Sequence, residues 1–239
     1  MITIEYKRTR NTDSTKIDKD TFWELIAQAK AQYGQDMDAA EIWLTDELVK
    51  RGPMAAQSFH DIMHAYSDLA DRCGLWDAAG MIKEYGCSDD GFLDFRSWLI
   101  AQGKEVYLAA LKDPDSLADV EPYGDCRFEC LAYVGDYAYE RLTGRSAYDD
   151  IDHTAFDELK RELGKEITYK DGIQYPREPW DLPAFLPKLC VRYGGPDRFR
   201  MQESRWNHDL HEIRKLLDAG KLHDRNKAAK KEKQRGDTR

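Results

Sequence analysis

Gly86-Cys87-Ser88-Asp89-Asp90-Gly91-Phe92-Leu93-Asp94-Phe95-Arg96-Ser97-Trp98-Leu99-Ile100-Ala101-Gln102-Gly103 is the stretch on which the reading of the fold turns. Ser88 is placed to cap the amides that open a helix, and Asp89 and Asp90 then fall in its first turn, where negative charge offsets the helix dipole. Phe92, Phe95 and Leu99 recur at three- and four-residue intervals, with Trp98 and Gln102 beside them, so one face is buried. Gly103 supplies the stop. A core helix with an acid-rich entrance is the result.

That entrance admits two readings. Asp89 and Asp90 could line a cleft as an acid/base pair or cation site, with Arg96 one or two turns on. Against this, adjacent helical residues point about 100° apart and do not naturally converge on one atom, which favours first-turn stabilisers with Arg96 as a surface partner. On the functional reading the cleft would be built from Trp76, Asp77, Ser88, Asp89, Asp90, Arg96, Trp98 and Tyr133, and no metal is expected in it.

Outward from this helix the same grammar repeats. Ile2, Ile4 and Tyr6 alternate with polar residues as a short strand would, and residues 1–19 read as an arm. Asp20 or Thr21 is expected to cap a helix with the stripe Phe22, Trp23, Leu25, Ile26 and Ala29, Thr21 and Glu24 forming a capping box. A second helix runs through Ile42, Trp43, Leu44 and Leu48 to Gly52-Pro53, and a third from Met54 to about Cys73, ended by Gly74. Leu75 begins a fourth. Val106, Tyr107, Ala110 and Leu111 follow Gly103 as a separate helix or a kinked continuation, and a long helix is expected from Arg127 to Leu142. Phe156, Leu159 and Leu163 mark one amphipathic segment in a polar connection. Ile167-Thr168-Tyr169-Lys170-Asp171-Gly172-Ile173-Gln174-Tyr175 is the one hairpin signal. Pro176, Pro179, Pro183 and Pro187 then punctuate a closing segment. The fold class is therefore mainly α, a multi-helix bundle with at most a small β-hairpin: a helical domain over residues 20–195, followed by a C-terminal helix and basic tail over 196–239.

Charge divides the chain unevenly. The net charge is −9 over 239 residues, yet residues 221–239 hold eight Lys and Arg against three Asp and Glu, leaving −14 on the remainder. An acidic body disfavours nucleic acid and anionic membrane, so nucleic acid could be reached only through the tail at 221–239. The tail is alternatively no more than solvated charge. The N-terminus has no apolar leader and no run is apolar enough for a membrane span. Five cysteines, an odd number in a chain too large to need staples, fit a reducing cytoplasm.

Other constellations have ordinary explanations. His60 and His64 lie four apart on a helix, a zinc-compatible spacing, but Asp61-Ile62-Met63 between them lacks the glutamate of a metalloprotease motif, which favours two surface or interfacial histidines. Cys126 and Cys130 are not spaced as CxxC. Most of the tryptophans sit in apolar patterns and read as core. Glu129, Tyr133, Asp136 and Glu140 mark adjoining turns of one helix, either an outward acidic stripe or a wall facing the Asp89–Asp90 turn. No phosphate loop, nucleophile elbow or dinucleotide fingerprint is present, and no cofactor is expected.

Phe22-Trp23-Glu24-Leu25-Ile26, Leu75-Trp76-Asp77-Ala78-Ala79, the Cys87-Ser88-Asp89-Asp90-Gly91-Phe92 run, Phe95 to Gly103 and Asp113-Pro114-Asp115-Ser116-Leu117-Ala118 together resemble the bacterial domain-of-unknown-function family DUF4240. Glu129, Tyr133-Val134, Ala138-Tyr139-Glu140, Thr143-Gly144, Trp180-Asp181-Leu182, Phe185 and Leu189 extend the likeness over about residues 20–194. The resemblance implies a soluble bacterial protein built largely of helices and carries over no activity, cofactor or catalytic residue. The functional expectation is a non-enzymatic cytoplasmic module whose acidic body docks a protein partner, as a regulatory or immunity-type factor would. The alternative is an enzyme or a small-ligand or metal-binding protein using the cleft at Ser88.

Overall fold

The computed structural model describes residues 15–83, 86–170 and 181–194. Its elements are α1 (Lys19–Tyr33), α2 (Met37–Arg51), α3 (Pro53–Leu69), α4 (Cys73–Ile82), α5 (Asp89–Ala101), α6 (Lys104–Lys112), α7 (Glu129–Thr143), α8 (His153–Gly164), α9 (Leu182–Phe185) and α10 (Pro187–Tyr193). Three 3-10 turns, Pro114–Asp119, Gly124–Cys126 and Ala147–Asp150, link them. The described residues form no strand, and none of their helices is long and apolar enough to cross a membrane.

The central element is α3, which packs against α1, α2, α5, α7 and α8. It can do so because its apolar residues wrap most of its surface: Ala56, Phe59, Met63 and Ala65 are fully buried, as is His60. Phe22, Trp23, Phe59, Tyr66 and Tyr107 join α1, α3 and α6 in an aromatic cluster. Its polar edges are satisfied internally: Trp23 Nε1 donates to the Tyr66 hydroxyl at 3.0 Å, and the Tyr107 hydroxyl donates to the Tyr66 carbonyl at 2.7 Å.

Ser88 caps α5 as expected, its Oγ accepting from Gly91 N at 3.2 Å. Phe92, Phe95, Trp98 and Leu99 are buried. Gly103, with φ +95°, separates α5 from α6, so the pair is two helices and not a kinked rod.

Several boundaries differ from the sequence reading. The cap of α1 is Asp18, whose Oδ1 accepts from Thr21 N at 2.8 Å, in place of Asp20 or Thr21 with its capping box. Just before it Ile17, read with the arm, packs against the core and donates its N–H to Ser58 Oγ at 2.9 Å. Helix α3 ends at Leu69, and Gly74 lies inside α4, packed beside Phe185. Ile167 to Lys170, the first arm of the expected hairpin, form no strand. Tyr169 packs against the body there, donating to the Leu69 carbonyl at 3.0 Å beneath the Arg72 guanidinium. The second arm lies outside the described residues, as do residues 1–14 and the expected helix and basic tail beyond Gly194.

The closing segment is tied down by one buried carboxylate. Asp115 accepts from Lys188 N at 3.1 Å and Leu189 N at 3.0 Å, capping α10 from a turn more than seventy residues earlier. Asp115→Ala leaves two amides without acceptors and is expected to cost about 2–3 kcal/mol. Urea unfolding measures the loss; an unchanged midpoint would contradict the capping role.

Candidate functional site

A hollow of about 300 Å³ opens between α3, α5 and α7, under the Ala147–Asp150 turn. Helix α5 contributes Asp90, Leu93, Asp94 and Ser97; α7 contributes Glu129, Ala132 and Tyr133; α3 contributes Met63, His64 and Ser67; Tyr148 closes the rim. Their positions follow from helical spacing. Asp90, Asp94 and Ser97 are four and three residues apart, hence on one face, as are Glu129 and Tyr133.

Three carboxylates line this hollow, and no Lys or Arg does. Among the described residues Asp90, Asp94 and Glu129 take part in no ion pair. The neighbouring cations face elsewhere: Arg96 is buried, donating to the Ser67 carbonyl at 3.0 Å, and Arg127 pairs with Asp125 at 3.1 Å.

The aromatic wall is a tight group. The His60 and His64 rings lie 4.4 Å apart and Tyr148 meets the His60 ring edge-on at 4.5 Å. The Tyr148 hydroxyl sits 3.0 Å from His64 Nε2. Asp136 holds Tyr148 in place indirectly: its Oδ1 accepts from Ser146 Oγ at 2.8 Å and Ala147 N at 2.7 Å, fixing the turn that carries the ring. Burial holds the His64 imidazole down at about 4, assisted by His60 and opposed by Asp68, Asp61 and the Ala132 backbone. Tyr148 is 42% exposed as a residue, but its hydroxyl lies against His64, and burial with Tyr133, Asp136 and Tyr137 around it pushes the phenol up to about 12. Around neutral pH the phenol is therefore protonated and the imidazole neutral, so an uncharged hydrogen bond joins them, its direction set by the imidazole tautomer.

This arrangement links stability to pH. The unfolded His64 takes up a proton near its ordinary 6.5, whereas the folded one resists until about 4, so the unfolded state binds more protons between those values. Stability from this group is whole above pH 6.5 and lost as pH falls towards 4, by on the order of 2–3 kcal/mol. His64→Gln is expected to lose correspondingly less stability than the wild type between pH 7 and 4.5 in denaturant titrations. Parallel losses in the two proteins would contradict the linkage.

Of the eight residues named for the cleft, Asp90 and Tyr133 are brought together. Asp89 and Ser88 are exposed outside its lining. Trp98 is a core residue, 1% exposed. Trp76 stacks on Phe92 at 4.8 Å and donates to the Cys87 carbonyl at 2.9 Å, bracing the α4–α5 connection, and Asp77 is partly buried on α4. Arg96 is neither a cleft residue nor a surface one. The wall of Glu129 and Tyr133 does face the α5 entrance, though Asp136 is occupied in the turn. Tyr148 and His64 are lining residues outside the set named for the cleft; of the histidine pair, read as surface or interfacial, His60 is fully buried where α3 crosses α7 and His64 faces the hollow. No group of three metal-ligating side chains occurs among the described residues.

Two other depressions are less suited to a ligand. The groove of about 770 Å³ between α1 and α6 mixes Lys30 and Lys104 with Asp20, Glu24 and Glu105, and Lys104 lies 3.7 Å from Asp20 and 3.2 Å from Glu166. The one beside α10 is a shallow surface around Pro187 and Val191. None of the five cysteines is in a disulfide, and burial pushes the Cys126 thiol up to about 12, away from reactivity.

A family model described as a protein of unknown function, DUF4240, matches residues 17–141, a span that holds α1 to α6, most of α7 and every lining residue except Tyr148. No curated protein and no solved structure matches the chain.

Proposed function

Since this chain belongs to the DUF4240 family, whose description assigns no activity, we propose a function from the hollow itself: it receives a basic side chain of a protein partner, in a non-catalytic intracellular module. The observation that carries this reading is the lining, three carboxylates without a cation beside the rings of Tyr133, His64 and Tyr148. A Lys or Arg head would gain charge complementarity from the acids and a cation–π contact from a tyrosine face, the latter about 0.5–2 kcal/mol. The acidic body would steer such a partner in. Exposed Leu93 and Tyr148 in the lining add the apolar contact that a protein interface needs.

Catalysis is the weaker reading. A general acid or base works best with its proton affinity near the working pH, and His64 and Tyr148 are displaced from neutrality in opposite directions. The volume also lies at the small end for a small-molecule site.

Fluorescence anisotropy with a labelled Lys/Arg-rich peptide tests the proposal in the full chain at 50 mM salt. Asp90→Asn with Glu129→Gln is expected to weaken binding about tenfold, roughly 1.4 kcal/mol, with circular dichroism unchanged. Equal affinity in the two folded proteins would overturn it.

A further inference from the structure

We propose that the chain's own basic segment, Lys221 to Arg239, is a ligand of the hollow and keeps other basic partners out of it. The inference rests on the cationic specificity proposed above and adds regulation of the same site. Its first ground is charge: eight Lys and Arg against three Asp and Glu in nineteen residues, following residues 1–220, which carry −14 and whose hollow presents Asp90, Asp94 and Glu129 outside any ion pair. Its second is composition: Leu222, Ala228 and Ala229 are the segment's few apolar residues, too few for a core of their own, so that charge is its means of recognition.

Reach is the third ground. The described body ends at Gly194, and residues 195–220 lie between it and the segment. About 26 residues span up to about 86 Å extended, and about 39 Å even at the rise of an α-helix. A body of this size is about 40 Å across. Tethering supplies an effective concentration of the order of 1 mM, so even a contact with an intrinsic Kd near 0.2 mM would lower the apparent affinity for a competing basic peptide about sixfold.

The test keeps the full chain and neutralises the segment with Lys227→Gln, Lys230→Gln, Lys231→Gln and Lys233→Gln. An unrelated Lys/Arg-rich peptide is the probe at 50 mM salt. The neutralised chain is expected to bind it about sixfold tighter than the wild type, the gain disappearing at 0.5 M salt and in the Asp90→Asn, Glu129→Gln background. Amide resonances of Glu129, Tyr133 and Tyr148 should shift on neutralisation with no probe present. Unchanged probe affinity and unshifted resonances, with the Asp90 and Glu129 substitutions still weakening the probe, would overturn autoinhibition and leave the cationic site standing. No effect of the Asp90 and Glu129 substitutions in either chain would overturn both. A segment whose neutralisation abolishes binding to a short DNA duplex while leaving probe affinity unchanged would be a nucleic-acid tail, and that result also overturns the proposal.

Discussion

Phe95→Ala is expected to destabilise the protein by about 3–5 kcal/mol, a third or more of the stability of a typical domain. Phe95 is fully buried on α5, with the Phe92 ring 6.1 Å away on one side and the Trp98 ring 5.5 Å away on the other. Truncation removes the transfer energy of the ring and leaves a void, because helices pinned by Ser88 at one end and Gly103 at the other cannot close onto it. The hollow depends on the same helix, so loss of probe binding should accompany loss of stability. Equilibrium denaturation and thermal melting measure the first, anisotropy the second. A loss below 1 kcal/mol would mean that α5 is not the core helix described here.

Gly135→Ala is expected to be nearly as damaging for a different reason, one methyl group too many. A Cβ at Gly135 would lie 2.7 Å from His60 Cβ and N and 2.8 Å from its Cα, so α7 meets the backbone of α3 directly. Backbone cannot rotate away as a side chain can, and α7 must lift off α3, at a cost of about 3 kcal/mol and a fall in Tm of roughly 6–12 °C. The displacement would also carry Glu129 and Tyr133 away from Asp90. Gly80→Ala supplies the contrast: a Cβ there meets nothing within 4 Å on α4, and removing a helical glycine should stabilise by about 0.5–1 kcal/mol. Similar effects at both positions would refute the close crossing of α3 and α7.

These two positions also mark the limits of what the residues disclose by themselves. Phe95 was legible because its burial follows from the periodicity of α5, and so were the Ser88 cap and the break at Gly103, each set within four residues of chain. Gly135 was not: an interior helical glycine acquires its reason only when His60, seventy-five residues away, is laid across it. The same long-range cause buries His60 and turns a pair of histidines at metal spacing into a packing contact. Asp18, Asp20 and Thr21 are all acceptable caps, and local chemistry does not choose among them.

The site divides along the same line. Asp90, Glu129 and Tyr133 could be placed by helical spacing, and the thought that the α7 acids face the α5 entrance is realised for Glu129. Tyr148 could not, since its position over the opening depends on a 3-10 turn held by Asp136 from α7. Arg96 inverted its expected role because the carbonyl of Ser67 near the end of α3 supplies a buried acceptor. Charged residues are read as surface by default, and only the packed helices reveal the exception.

Amide chemical-shift mapping of the full chain with the Lys/Arg-rich peptide tests the cationic site most directly. The account predicts the largest perturbations at Asp90, Asp94, Glu129, Tyr133 and Tyr148, suppressed by high salt. Perturbations centred on the α1–α6 groove at Asp20 and Glu105, or none at millimolar peptide, would contradict it.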